Sequence, residues 1–148
     1  MNEPTQHEPG WEFLFAAWLI ATASTLGSMF FSEVMELPPC SLCWYQRIFM
    51  FPLPIVLFMG LMPTASHRFD VRAVRYALPL AVIGWLIALY HLGLQSGVIP
   101  ESAAPCTQGV SCTDVTMQLF GFLSIPMLSL LSFTTMIGLM LALKKRLK

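Results

Sequence analysis

The residues with the clearest chemical potential are two cysteines in a Cys-x-x-Cys pattern. Cys40 and Cys43 follow Pro38-Pro39 at the start of an apolar segment, and Arg47 lies four positions after the second cysteine. This offset is one helical turn, so the cation could lie over the sulfur on one helix face. A helix N-terminus and a nearby cation both favour the thiolate, which is the reactive form of cysteine. The pattern therefore predicts a redox-active pair ahead of two inert buried thiols.

A second pair, Cys106 and Cys112, has five intervening residues and lies in a polar stretch that contains Pro and Gly. It could be a structural disulfide that closes a small loop, or a labile disulfide that exchanges with other thiols. All four sulfurs could instead form a zinc site. The second spacing is longer than that of zinc knuckles, and metal binding needs reduced thiols. We therefore expect no metal, and the structural and exchanging disulfides both stay open.

Two further polar residues lie near the same predicted membrane face. Arg47 could be an interfacial anchor beside Trp44 and Tyr45, or it could stabilise a thiolate or the oxygen of a reduced ligand. His91 could be an ordinary interfacial residue, or it could hydrogen-bond or protonate a carbonyl oxygen. The spacing of Arg47 from Cys43 favours a functional role for the arginine.

Composition indicates a membrane protein. Of the 148 residues, 56% are apolar and 11% are charged, whereas an ordinary soluble domain carries about 25% charged residues. A soluble fold of this length could not hide so much apolar surface, but a bilayer could accept it. The formal net charge is zero, so the charge balance does not predict a nucleic-acid partner.

Four apolar segments are long enough to cross a bilayer. The first is uncharged over the 20 residues from Phe13 to Ser32. It lacks the basic start and short apolar core of a secretory signal, so we expect it to stay uncleaved. Its small residues should allow close helix packing; they are Ala21, Ala23, Ser24, Gly27 and Ser28. Pro52 and Pro54 should kink the second segment.

The sequence therefore predicts one all-α domain, residues 1–148, that forms an integral membrane four-helix bundle with up-down-up-down topology. The spans should cover about residues 13–32, 43–62, 76–94 and 116–143, and the outer links about 33–42 and 95–115.

Charge placement predicts the orientation of the bundle. The link over residues 63–75 carries three arginines and the C-terminal tail carries four basic residues. Basic residues in short links mark the cytoplasmic face. The other two links carry only acidic charges. We therefore expect a multi-pass cell-membrane protein with both termini in the cytoplasm and all four cysteines at the outer face, where disulfides form and persist.

These motifs resemble the disulfide bond formation protein B family (DsbB), and most of all its short branch, called BdbC. The resemblance is carried by residues 39–48 (PCSLCWYQRI) and by Met50-Phe51-Pro52-Leu53. It extends upstream through Ala17-Trp18 and residues 26–33. Downstream it includes the spacing of the second cysteine pair and residues 120–126. It covers nearly the whole chain and all four spans.

The resemblance implies a dithiol:quinone oxidoreductase. Such an enzyme reoxidises an extracytoplasmic thioredoxin-like protein (DsbA- or BdbD-like) and passes the electrons to a membrane quinone, either ubiquinone or menaquinone. Cys106 would accept attack by the partner's thiolate. Cys112 would leave and then link to Cys40, which frees Cys43 as a thiolate facing the quinone.

The resemblance also implies two quinone-site residues. Arg47 matches the quinone-site arginine of the family, and His91 matches a His-x3-Gln pattern found near the quinone in some relatives. Longer DsbB proteins separate their second cysteine pair widely, whereas only five residues intervene here. The short spacing bears on how far the loop moves and on the order of the interloop disulfide steps, and it leaves the four-cysteine circuit intact.

Overall fold

The computed structural model describes residues 10–62, 72–100, 102, 118–119 and 123–146. Within these ranges the helices are α1 (Trp11–Glu33), α2 (Ser41–Met50), α3 (Pro52–Leu61), α4 (Arg72–Gln95) and α5 (Ile125–Arg146). Two short strands, β1 (Gln118–Leu119) and β2 (Leu123–Ser124), pair antiparallel directly before α5. Because α2 and α3 follow each other closely, they form one apolar segment. Four segments are then long and apolar enough to cross a membrane. The predicted all-α membrane bundle is confirmed.

Proline explains the break between α2 and α3. The amide of Phe51 still donates to the carbonyl of Arg47 at 2.9 Å. Pro52 has no N–H and cannot continue this ladder, so a new helix begins there, with proline in its first turn. The sequence predicted this interruption. It did not single out Pro79, which lies inside α4.

The last helix begins later than the sequence indicated. We placed the start of the fourth span near residue 116, but α5 begins at Ile125. Pro126 suits a first helical turn, and the residues of β1 and β2 precede it in extended pairing. An uncharged run therefore overestimated the length of this helix, because apolar composition does not distinguish a short strand from a helix.

The segments pack antiparallel. Near the start of α1, Phe13 lies under the guanidinium of Arg146 from the end of α5, with 5.0 Å from Cζ to the ring centroid. Farther along α1, the Ser24 hydroxyl donates to Ser132 near the start of α5 at 3.1 Å. Both ends of the described chain therefore lie at one end of the bundle. Cys40, which precedes α2, lies at the other.

Small residues bring the helices together. α1 and α4 bury alanines with no exposed surface, among them Ala17, Ala21, Ala77 and Ala81. Small side chains let membrane helices approach closely. Large apolar residues such as Leu26, Ile55 and Leu86 are more than half exposed. A bilayer would cover this outer surface.

Candidate active site

The turn before α2 places the two cysteines in contact. Cys40 is the N-cap residue, with extended backbone, and its sulfur accepts a hydrogen bond from the backbone N–H of Cys43 at 3.4 Å. An N-cap side chain satisfies one of the helix's free N–H groups. Pro38-Pro39 keeps the chain extended up to the cap, because a proline disfavours helical backbone at the residue before it. The two Sγ atoms lie 3.0 Å apart, and both cysteines are free thiols.

His91 reaches the same sulfur from α4. Its Nε2 lies 3.8 Å from Cys40 Sγ, and its Nδ1 lies 3.1 Å from Nε2 of Gln46 on α2. In this arrangement the Gln46 amide donates to Nδ1, so Nε2 carries the proton and donates to the sulfur. Gln46 and His91 are the two buried polar side chains in the part of the chain that the structure describes. Burial makes this bond network costly to break.

The network stabilises a negative charge on the first sulfur. The hydrogen bond from the Cys43 thiol, helped by His91 and by the Cys43 backbone N–H, lowers the pKa of Cys40 to about 4 although burial opposes the shift. In the reduced pair, Cys40 therefore holds the charge and Cys43 holds the proton. A thiolate of this kind is the nucleophilic form of cysteine.

Arg47 lies on the neighbouring turn, and its described hydrogen bonds go to α1. Its Nε donates to Ser28 Oγ at 2.8 Å, and Nη2 donates to the Ser28 carbonyl oxygen at 2.9 Å. The guanidinium also lies 5.5 Å from the ring centroid of Trp44. The planar guanidinium fork suits the two acceptor atoms of one residue better than it suits a single sulfur. The described hydrogen bonds of Arg47 therefore form a clamp that joins α2 to α1, and its action on the Cys43 sulfur stays a prediction.

These residues surround one cavity of about 390 Å³ at the cysteine end of the bundle. Cavities of this size hold small molecules in many proteins. Both cysteines, Arg47 and His91 line it, with Gln95 beside them. Much of the remaining wall comes from small and apolar residues of α1 and α5, including Ala23, Gly27, Ile125 and Leu128.

The structure thus gathers four of the six predicted site residues: Cys40, Cys43, Arg47 and His91. The other two, Cys106 and Cys112, lie outside the described residues.

Sequence reasoning gave no role to Gln46 and did not connect Ser28 with the site. A signal for Gln46 was available, because it interrupts the stripe Leu42, Gln46, Met50 that α2 buries. A polar residue at i+4 within a buried stripe needs a partner. The contact of Ser28 with Arg47 spans 19 positions and two helices, so no local pattern indicated it.

Comparison with known proteins decides the family. The family model described as "Disulfide bond formation protein DsbB" matches residues 11–143. The chain belongs to the DsbB family. This membership confirms the resemblance and supports a role in disulfide bond formation. Together with four candidate spans, it indicates a multi-pass membrane oxidoreductase.

Relatives within the DsbB family match most of the chain. The "Probable disulfide formation protein" of Metapseudomonas resinovorans is 43% identical over 137 residues, which is 92% of each chain. "Probable disulfide formation protein C 2" of Bacillus cereus is 47% identical over 121 residues, 82% of this chain and 83% of the relative. "Disulfide bond formation protein C" of Bacillus subtilis is 42% identical over 132 residues, 89% of this chain and 92% of the relative. No solved structure matches the chain.

Proposed function

We propose that this DsbB-family protein reoxidises an extracytoplasmic thioredoxin-like dithiol protein and transfers the electrons to a membrane quinone. The observation that carries the proposal is the reduced pair Cys40–Cys43 in the wall of a cavity that Arg47 and His91 also line. Disulfide exchange moves oxidation from one pair of sulfurs to another, so the pair that is reduced last must be reset by an acceptor. The cavity is where such an acceptor could meet these sulfurs.

The cavity fits a quinone in size and chemistry. Its wall is mainly apolar, and Arg47, His91 and Gln95 line it together with the two sulfurs. Arg47 and the amide of Gln95 would hold quinone oxygens, because both carry N–H donors. A quinone supplies the capacity to accept two electrons and two protons. The lipid-soluble molecule would reach this end of the bundle from within the bilayer.

The hydrogen bonds to Cys40 support the direction of electron flow. A disulfide whose reduced form is stabilised is a stronger oxidant. The Cys43 N–H and the His91 ring stabilise the reduced form of this pair through the Cys40 sulfur. These contacts therefore favour electron acceptance from the partner.

In the proposed cycle, the partner's thiolate attacks Cys106 and expels Cys112. The Cys112 thiolate then attacks Cys40. While Cys40 is bonded to Cys112, Cys43 is the sulfur that faces the cavity. The partner's second thiolate then closes the partner's own disulfide and expels Cys106, and Cys106 attacks Cys112, which restores the Cys106–Cys112 disulfide and releases Cys40. The reduced Cys40–Cys43 pair would then give two electrons and two protons to the acceptor, and its disulfide would re-form.

The orientation in this proposal follows the positive charges. Arg72 and Arg75 begin α4, and Lys144, Lys145 and Arg146 end α5. Both groups lie at the end of the bundle opposite Cys40 and Cys43. The positive-inside tendency would place that end in the cytoplasm. An impermeant maleimide should therefore label a single cysteine placed at Glu36 in whole cells, but not one placed at Lys145. Labelling in the reverse pattern would refute this orientation.

The decisive experiment measures quinone reduction in detergent with a soluble quinone and a reduced thioredoxin-like protein. We expect wild-type turnover and none with Cys43→Ser, since serine cannot form or release a disulfide. Cys106→Ser should block turnover with the partner but leave quinone reduction by the chemically reduced Cys40–Cys43 pair. Quinone reduction that continues in Cys43→Ser would contradict the proposed electron path.

A further inference from the structure

The reduced cysteine pair and one histidine form a cluster whose geometry suits a metal ion. The ligand atoms of Cys40, Cys43 and His91 all lie within 4.8 Å of one another. Two sulfurs and one imidazole nitrogen are a ligand set that Zn²⁺ uses in sites that keep a fourth position open. In the described parts of the chain this is the one cluster of three such side chains.

One of the ligand–ligand distances already suits tetrahedral zinc, and a second differs by about 0.8 Å. Tetrahedral zinc with ordinary bond lengths places two sulfurs about 3.8 Å apart, and a sulfur and a nitrogen about 3.6 Å apart. Here Cys40 Sγ lies 3.0 Å from Cys43 Sγ and 3.8 Å from His91 Nε2. The sulfurs would have to separate by about 0.8 Å to reach that geometry. Cys43 is only partly buried, so rotation of its side chain could provide this movement.

Gln46 supplies the second contact that a metal-binding histidine needs. Such a histidine donates its other ring N–H to an acceptor, which fixes the tautomer and the ring orientation. The Gln46 amide lies 3.1 Å from His91 Nδ1. Its oxygen and nitrogen exchange places when the amide turns over, and Oε1 would then accept a bond from Nδ1–H. Nε2 would thereby be left to bind the ion.

The cavity gives the ion access and a fourth ligand position. Both cysteines and His91 line its wall, so an ion held by all three would face into it. We propose that the reduced Cys40–Cys43 pair and His91 bind one thiophilic divalent cation, with Zn²⁺ as the representative ion, and that the bound ion blocks reoxidation. Metal–sulfur bonds occupy the lone pairs that disulfide formation needs. Oxidation to the disulfide would remove two electrons from the sulfurs and release the cation.

Metal binding can be tested without quinone or partner. We suggest the double variant Cys106→Ser/Cys112→Ser, reduced with a phosphine, freed of reductant and titrated with Co²⁺ and then Zn²⁺. We expect one equivalent of Co²⁺, a thiolate-to-cobalt charge-transfer band and displacement by Zn²⁺. The disulfide form should bind neither ion. Cys43→Ser should abolish binding, and Gln46→Leu should weaken it about 10- to 100-fold.

His91 provides the critical control. His91→Ala should weaken Zn²⁺ binding at least about 100-fold, because it removes a ligand itself and not only the contact that orients the ligand. His91→Gln keeps a polar side chain beside Gln46 and serves if the alanine variant does not fold; it should show the same loss. Unchanged affinity in either variant would overturn the proposed site. So would a signal present in the wild type but lost in the double variant, because that result would indicate a four-sulfur site.

The block of reoxidation by the bound ion rests on the proposed function and has its own test. The chemically reduced double variant should reduce a soluble quinone in the presence of a chelator. Without the chelator, stoichiometric Zn²⁺ should slow this reaction at least tenfold. Zinc-insensitive quinone reduction by protein that binds one Zn²⁺ would overturn the block. Absence of quinone reduction in chelator would instead count against the proposed function, while the metal titration would still test the site.

Discussion

Gly84 of α4 and Gly27 of α1 are both glycines, but Gly84 lies in a tightly packed part of the bundle and Gly27 lies beside the cavity. A Cβ added to Gly84 would overlap the ring of Phe133, whereas a Cβ added to Gly27 would have no atom within 4 Å. Around Gly84 the bundle is closed, and Ala17 and Ala21 of α1 are completely buried. Gly27 instead lines the cavity beside Cys40 and Cys43.

The comparison shows that small residues serve two purposes in one bundle. In the closed region, a large ring from a neighbouring helix fills the space that glycine leaves, and the helices pack tightly. In the cavity region, the facing residues on α5 include Ser129 and Ser132, which do not fill the space. What separates packing from binding is therefore the partner residue and not the small residue itself.

Filling the cavity should have the largest effect. Gly27→Phe places a ring in the space proposed for quinone, so we expect quinone reduction to fall at least about 100-fold, or about 2.7 kcal/mol in transition-state stabilisation. Gly138→Phe adds the same bulk on an exposed part of α5 that also has no neighbour within 4 Å, and it should retain activity. Steady-state assays with matched melting curves would compare the two variants. Equal activity in both would mean that the cavity is not the quinone site.

Adding one methyl group in the closed region should affect stability instead of activity. Gly84→Ala forces the Phe133 ring to move, and overpacking of this kind costs about 1–3 kcal/mol. We expect a lower melting temperature in detergent and unchanged turnover below it. Gly138→Ala is the control, since its methyl group meets open space. Phe133→Leu should recover part of the loss in Gly84→Ala, because the two positions are in contact. Additive losses would contradict this packing.

Loss of the Arg47 clamp should have a smaller, more specific effect. Arg47→Ala is expected to raise the KM for quinone about tenfold, equivalent to about 1.4 kcal/mol, with little change in exchange with the dithiol partner. Arg47→Lys should lie between wild type and alanine, because lysine keeps the charge but cannot span both acceptors of Ser28. Separate KM values for quinone and partner would test this. Equal loss with both substrates would identify Arg47 as an anchor only.

Local sequence patterns predicted much of this molecule. The uncharged runs predicted four spans, although the last helix begins later than its run, and Pro52 predicted the break between α2 and α3. The Cys-x-x-Cys spacing brought two sulfurs together at a helix start, as expected from backbone geometry. Each of these features depends on residues that are neighbours in the chain.

Features that depend on how helices meet were harder to predict. The small residues of α1 were expected to pack closely; Ala21 is buried and Ser24 contacts Ser132, but Ala23, Gly27 and Ser28 line the cavity. Which of these residues pack and which line the cavity depends on how α1 is rotated about its own axis relative to α5. The sequence repeat of a helix does not specify that rotation. The clamp between Arg47 and Ser28 and the contact between Gln46 and His91 likewise join separate helices.

The smallest expected effect concerns the pH dependence of Cys40, which faces the cavity region. Because its pKa is lowered to about 4, the thiolate predominates throughout the range above that value. In a Cys43→Ser variant that also lacks Cys106 and Cys112, the serine hydroxyl still donates to Cys40. The alkylation rate of Cys40 should therefore be nearly constant from pH 6 to pH 8. A thiol of ordinary pKa would instead react about 100-fold more slowly at pH 6 than at pH 8. Cys43→Ala in the same background removes the donor and raises the pKa, so its rate should fall as the pH is lowered. A steep profile in the serine variant would show that the Cys40 charge does not depend on a hydrogen bond from position 43.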